Sequence, residues 1–273
     1  MKFTGERMIP EFNKEDLIYA EHMARYFFAG QFVAAKDVLD VASGSGYGTR
    51  YLSNKGAAKV VGVDNSREAV KYSQEKYQTS GIEFILADAA KLPFENDIFD
   101  IVVSFETIEH LDDQEKFLRE IKRVLRKDGL LIISTPNVLV FPKGNTFHKK
   151  ELAPFEFRDI LSRYFKNIKI FHQHNLAASY ILEERAVLSD FLEFDARNLK
   201  LIQTSADKNM YVIVIAGNGQ LPQDAAAAIT LFGNKELEEK TACLQEIYDS
   251  RGFKIISFLR RLRSLFNNRK SND

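Results

Sequence analysis

Three closely spaced glycines supply the first chemical possibility in this chain. In VLDVASGSGYG the apolar run from Val38 to Val41 leads straight into Gly44, Gly46 and Gly48. A turn built from such residues lets a ligand approach main-chain N–H groups closely, because no side chain stands between them. The spacing is G-x-G-x-G. The dinucleotide fingerprint G-x-G-x-x-G would require glycine at position 49, which is Thr49. Polar residues that follow later apolar runs form a second set: Asp64, Asp88, Glu106 and Asn137. A carboxylate there can accept two hydrogen bonds from a diol at once. Taken alone, Asp64 or Asp88 serves equally well as a helix cap. The third set is the five histidines, His22, His110, His148, His172 and His174, which exchange protons near neutral pH.

The elements that must position these groups alternate. Apolar strands are expected at 37–41, 59–63, 82–86, 99–104 and 130–134, with helices at 47–54, 67–78 and 113–125 and a turn at Lys127-Asp128-Gly129. Beyond them the pattern predicts a helix over 151–164 and strands at 168–172 and 210–216. Short, nearly continuous apolar strands separated by amphipathic helices imply an α/β fold, a doubly wound, mostly parallel seven-stranded sheet covered on both faces. Ligands of such sheets sit beyond the carboxyl ends of the strands, where Gly44, Asp64, Asp88, Glu106 and Asn137 fall.

Three regions follow. Residues 1–35 form an N-terminal helical cap, with a helix over 16–28 on which His22, Arg25 and Tyr26 share a face. That helix either packs Ile18, Phe27 and Phe28 on the domain or acts as a lid with its polar turn inward. Residues 36–218 are the sheet domain, with an insertion at 175–208 placed to cap an acceptor or to mediate packing. Residues 219–273 form a helical tail whose segment 251–270 intersperses basic and apolar residues without an acid. A basic amphipathic helix of this kind lies on anionic lipid or docks on a partner.

Lysine plus arginine balance aspartate plus glutamate at 38 each, so no nucleic-acid partner is expected. A single cysteine, Cys243, rules out an internal disulfide. The polar N-terminus and the interrupted apolar runs lead to the expectation of a soluble, cytoplasmic protein, with contact to the inner face of the membrane through the tail.

In residues 36–140 the ordered motifs VLDVASGSGYG, VVGVDNS, EFILADAAKLPF, FDIVVSFETIEHL and RVLRKDGLLIISTPN closely resemble those of the class I S-adenosylmethionine-dependent methyltransferases. The resemblance implies S-adenosyl-L-methionine as cofactor. It puts Asp40 in the acidic position of the first motif and Ala42 where the family usually has glycine. It assigns the cofactor to Asp40, Ala42, Gly44, Gly46, Asp64, Asn65, Asp88, Ala89 and Ser104, with Asp64 on the ribose hydroxyls and Asp88 and Ala89 on the adenine. It also implies that the last strand is the antiparallel one inserted at the sheet edge.

FTGERMIPE, AEHMARYFFA, SFETIEHL, STPN and NTFHKKEL further resemble a bacterial subgroup found among cell-surface polysaccharide loci. That resemblance implies O-methylation of a sugar hydroxyl on a polysaccharide or lipid-linked glycan, including chain-end capping, with a glycosyltransferase partner or further domain. The competing readings are a methyltransferase for a quinone or other lipid-like small molecule, and a non-catalytic scaffold. A sugar hydroxyl is a poor nucleophile and benefits from a base. His148, in the loop after the fifth strand, is the first choice; His110 shares the pocket with Glu106 and Glu109 or is merely a helix-start residue. Glu106, His110 and His148 are metal ligands in kind, but no dense ligand motif is present and no metal is expected.

Overall fold

A computed structural model of the chain describes residues 8–9, 17–141, 145–175, 209–223 and 225. Its elements run α1 (Leu17–Gly30), β1 (Asp37–Val41), α2 (Tyr47–Asn54), β2 (Lys59–Asp64), α3 (Arg67–Tyr77), β3 (Ile82–Leu86), β4 (Phe99–Ser104), α4 (Gln114–Val124), β5 (Leu125–Pro136), α5 (Pro154–Ser162), β6 (Asn167–Gln173) and β7 (Tyr211–Gly217). The seven strands form one sheet in the order β3-β2-β1-β4-β5-β7-β6. Neighbours from β3 through β5 pair in parallel, and β7 runs antiparallel to both β5 and β6. The expected doubly wound, mostly parallel sheet is therefore present. The antiparallel strand, expected at the edge, lies instead between β5 and β6, so that β6 is the edge strand.

Alternation along the strands divides the core in two. Leu39, Val41, Val61, Val63, Val102, Leu131 and Ile133 face α4 and α5, meeting Phe117, Leu118, Ile121, Phe157 and Leu161. Val38, Val60, Ile101, Val103 and Ile132 face the other way, onto α1 and α2 through Tyr26, Phe28, Ala29 and Leu52. Apolar burial on both faces is what a central strand flanked by helices requires. The helices start where their caps allow. The Ser66 hydroxyl accepts from Ala69 N–H (3.3 Å) at α3, and the Asp113 carboxylate accepts from Lys116 N–H (2.8 Å) at α4.

Two boundaries differ from the sequence expectation. Lys127-Asp128-Gly129 lies inside β5 rather than in a turn; Phe99 pairs with Leu125 but Ile101 with Leu130, so the extra residues bulge out of the β4–β5 ladder. Helix α5 begins only at Pro154, which fixes the backbone for a first helical turn, while the Glu156 carboxylate accepts from Ala153 N–H (2.8 Å). The face of α1 differs from the first of its two readings as well: Ile18, which that reading packed on the domain, is 42% exposed, because the inward face is occupied by Glu21, Arg25, Tyr26 and Phe28. All but Asn175 of the insertion expected at 175–208, and all but 219–223 and 225 of the tail expected at 219–273, lie outside the described residues.

The glycines of the first turn have different jobs. At Gly48 an added Cβ would stand 1.9 Å from the Tyr26 ring, and at Gly46 it would meet Ser73 and Phe84 below 3 Å. Only Gly44, at φ +56°, has nothing within 4 Å of such an atom. Gly48 therefore admits a side chain of the protein, not a ligand, and Gly44 is the position open to one. Gly48→Ala should lower stability by about 1 to 3 kcal/mol through overpacking against Tyr26, read as a shifted midpoint in urea with an unchanged slope.

Candidate active site

The carboxyl ends of β1, β2 and β4 and the loop after β5 converge on one edge of the sheet. The Gly44 turn is held from below by Asp64 at the end of β2. Asp64 Oδ2 accepts from Gly44 N–H (2.9 Å) and Oδ1 from Ser66 N–H (2.8 Å). Each carboxylate oxygen has a second lone pair, so the same group can take ribose hydroxyls while bracing the turn. Asn65 is exposed beside it. Ala42 itself adopts φ 60°, as Gly44 and Gly46 do at φ 56° and 81°, so the turn runs through left-handed backbone where the family pattern has glycine. Asp88 is exposed and accepts from Ala90 N–H (2.8 Å), with Ala89 half-buried next to it. The Ser104 hydroxyl is buried and donates to the Val41 carbonyl (3.3 Å), joining the ends of β1 and β4.

Asp40 lies beneath this turn, buried. Thr49 Oγ1 donates to its Oδ2 (2.7 Å), and the Tyr26 hydroxyl lies 3.2 and 3.3 Å from its two oxygens. Burial pushes its pKa up to about 7, against the bonds from Thr49 and Tyr26, which favour the ionised form. Asp40 thus ties α1 and α2 to β1. Thr49 is its direct partner, a role the sequence hid because position 49 was informative only as a missing glycine. Asn137 is likewise committed to the scaffold. Its Nδ2 donates to the Asn209 carbonyl (2.9 Å) and its Oδ1 accepts from Leu139 N–H (3.1 Å).

Beyond β4 a polar cluster gathers Glu106, Glu109, His110 and His148. Glu106 adopts φ 49° and its Oε1 accepts from Ser134 Oγ (2.6 Å). Glu109 is fully buried; Thr135 Oγ1 donates to Oε2 (3.1 Å), while Oε1 has no hydrogen-bond partner among the described residues. Burial raises the pKa of both acids, Glu109 well above the usual range, with the Glu106 charge adding to the effect. His110 Nδ1 meets the Phe147 carbonyl (3.1 Å), and its ring packs edge-on against His148 with centroids 5.0 Å apart. His148 Nδ1 is 2.6 Å from Glu151 Oε1, and Nε2 is 2.8 Å from Asn145 Nδ2. Donation of Nδ1–H to Glu151 leaves the lone pair on Nε2, where it accepts from Asn145. Glu151, a partner three residues along the chain that the HKKE spacing could have signalled, went unnoticed in the sequence. One ligand atom each from Glu109, His110 and His148 lies within 4.8 Å of the others, a set able in kind to hold a transition ion. Both ring nitrogens of His148 already have protein partners.

Helix α1 brings a third set. His22 Nδ1 meets the Tyr47 hydroxyl (2.8 Å), and burial, then Arg25, lowers its pKa well below the usual range. Arg25 reaches the far side of the site and donates to Gln173 Oε1 (2.9 Å). His172, on β6, is pushed down by burial; His172 and His174 sit at the β6 edge.

A mostly parallel seven-stranded sheet with a left-handed glycine turn after β1 and an acid after β2 is the arrangement of an α/β fold suited to a nucleoside at the carboxyl ends of its strands. Residues 39–133 match the family described as Methyltransferase domain. This segment is similar to the methyltransferase domains of the S-adenosylmethionine-dependent class, and the open Gly44 turn and the Asp64 carboxylate fit the nucleoside of S-adenosyl-L-methionine, the cofactor of that class. Over 166 residues the chain is 37% identical to a "Probable S-adenosylmethionine-dependent methyltransferase" of Mycobacterium tuberculosis, covering 59% of this chain and 60% of that protein. It is 36% identical over 100 residues to the phthiotriol/phenolphthiotriol dimycocerosates methyltransferase of Mycobacterium leprae, covering 36% of this chain and 37% of that one. The chain thus spans less than two thirds of the length of these relatives. In three dimensions it is similar to an S-adenosylmethionine-dependent methyltransferase of Thermotoga maritima (TM-score 0.54, 18% identity, 76% and 94% of the two chains). Among the described residues no helix is long and apolar enough to cross a membrane.

The Asp40 pKa has a sign that can be checked. A carboxyl raised from 3.8 to about 7 by folding holds its proton more tightly in the native state. Its contribution is therefore present at low pH and is lost as pH rises from about 4 to 7. Asp40→Asn should flatten the fall of the melting temperature between pH 5 and 8, read by thermal unfolding across that range.

Proposed function

We propose that the protein transfers a methyl group from S-adenosyl-L-methionine to a hydroxyl of a sugar, on a cell-surface polysaccharide or a lipid-linked glycan. The observation that carries this reading is the Glu151–His148 pair, on the same sheet edge as the Gly44 turn and Asp64. When bound, the cofactor supplies an electrophilic methyl on its sulfonium. The chain's own residues then have two tasks. Gly44 and Asp64 hold the nucleoside, with Asp88 and Ala89 beside them. His148 takes the acceptor's proton at Nε2, and Glu151 holds its ring in the tautomer with Nδ1–H donated. The acceptor hydroxyl replaces Asn145 at Nε2. Glu106, His110 and the buried Glu109 lie around that point and keep it polar.

A second reading has specific support, because the Mycobacterium leprae relative is named for a lipid acceptor. A quinone-like or lipid-like small molecule would use the same base. A non-catalytic, glycosyltransferase-bound scaffold would bind the cofactor and leave His148 idle. Methyl-labelled cofactor offered to surface-glycan intermediates and to lipid extracts, read by mass spectrometry, separates the three. Label on the saccharide supports the proposal, label on a free lipid overturns it in favour of the second reading, and cofactor binding without transfer points to the scaffold.

His148→Ala should lower kcat by about 10²- to 10⁴-fold, the usual worth of a general base, with S-adenosylhomocysteine affinity unchanged in calorimetry. Glu151→Gln should lose less and should displace the pH profile of kcat, since it alters the ring's orientation and basicity without removing the base. Near-normal turnover of the alanine variant would remove His148 from the chemistry.

A further inference from the structure

We infer that Arg25 is an acceptor-recognition group, and that its guanidinium edge grips two neighbouring hydroxyl oxygens of an uncharged sugar. The inference rests on the sugar-methylating reading above and names the residue and ligand chemistry within it. Arg25 is 2% exposed, yet only Nη1 is spent, on Gln173 Oε1 (2.9 Å). Among the described residues, Nε and Nη2 have no hydrogen-bond partner. These two nitrogens form one edge of the guanidinium, a rigid fork that takes two oxygens side by side. The plane is fixed from behind, where Cζ lies 4.7 Å from the centroid of the Tyr211 ring.

An arginine buried only to neutralise acids would spend that edge on them. Glu21 instead accepts from the Tyr211 hydroxyl (2.7 Å) and from Asn175 Nδ2, and Glu106 Oε1 accepts from Ser134. No ion pair within 4.0 Å joins Arg25 to either acid among the described residues, although both act on its charge through space. The fork belongs to the acceptor side of the site. It lies among the ends of β4 and β6 and the start of β7, and the strand order puts β7 and β6 on the far side of β4 from the Gly44 turn.

The charges already present select the ligand. Buried Glu21 and half-buried Glu106 already act on one guanidinium, so an incoming carboxylate or phosphate would crowd a further acidic group into a place poor in water. Hydroxyl oxygens add none. A diol accepts from Nε and Nη2 and can donate to Glu106, whose Oε2 is not engaged by Ser134. Quinone carbonyls have no proton to give that acid.

The test is saturation-transfer NMR on the full chain loaded with S-adenosylhomocysteine. The probes are the methyl glycosides of mannose, glucose, galactose and rhamnose, their single deoxy analogues, and methyl glucuronide. At least one neutral glycoside should bind, and its affinity should fall about tenfold or more in Arg25→Met and in Arg25→Lys, which lacks the fork. Affinity for S-adenosylhomocysteine should not change. Removing either gripped hydroxyl from the probe should cost the wild type as much. The deoxy series decides the matter on its own if Arg25→Met does not fold. Stronger binding of the glucuronide than of the neutral glycosides overturns the inference in favour of an anion site. Neutral binding or glycan methylation untouched in the Arg25 variants overturns it while leaving the sugar reading intact. No glycoside bound by a protein that binds S-adenosylhomocysteine overturns both.

Discussion

Tyr26 against Asp40 and Gly48 is the contact on which the site depends. Its ring occupies the volume that a side chain at position 48 would fill, and its hydroxyl meets the buried Asp40 carboxylate. Those two interactions pin α1 to the turn that follows β1. Everything α1 contributes inherits that anchor: His22 reaches Tyr47, Arg25 reaches Gln173 and Tyr211, and Glu21 reaches Tyr211. The helix is latched a second time at the other end of the site, where Gln173 Nε2 donates to the Glu21 carbonyl (3.0 Å). It therefore spans the edge of the sheet from the glycine turn after β1 to the end of β6 and the start of β7.

The charges under this helix are organised by burial rather than by direct pairing. Asp40, Glu106 and Glu109 each have a pKa raised by desolvation. Arg25 is drawn down by burial but held charged by Glu106 and Glu21. A site of this kind keeps donors and acceptors in place without committing them to one another. Hydroxyl oxygens entering it find partners already oriented, which lowers the ordering cost of binding. In a buried setting of this kind each hydrogen bond is stronger than it would be in water.

Much of the fold was legible because its signals are local. The bounds of β1, α2, β3 and β4 follow from apolar runs and glycine turns alone, and Ser66 and Asp113 mark helix starts that depend on their own side chains. The failures share a different cause. Whether Lys127-Asp128-Gly129 turns or bulges depends on its pairing with β4, and whether Ile18 is buried depends on which face of α1 the sheet accepts. Gly48 was read as room for a ligand because sequence cannot say that Tyr26, twenty-two residues earlier, would occupy it.

The sequence by itself pointed to the cofactor through the ordered motifs of residues 36–140, and it put the glycine turn and the strand-end acids on one edge of the sheet, because both are short-range patterns. It also supplied His148 as a candidate proton acceptor, from its place after β5. Tertiary structure alone decided that Glu151 orients that histidine, that Asp40 and Asn137 serve the scaffold, and that Arg25 arrives from α1 with an open edge. Those outcomes depend on contacts between elements distant in the chain. No local periodicity encodes them, because the partner of each group is chosen by how the helices settle on the sheet.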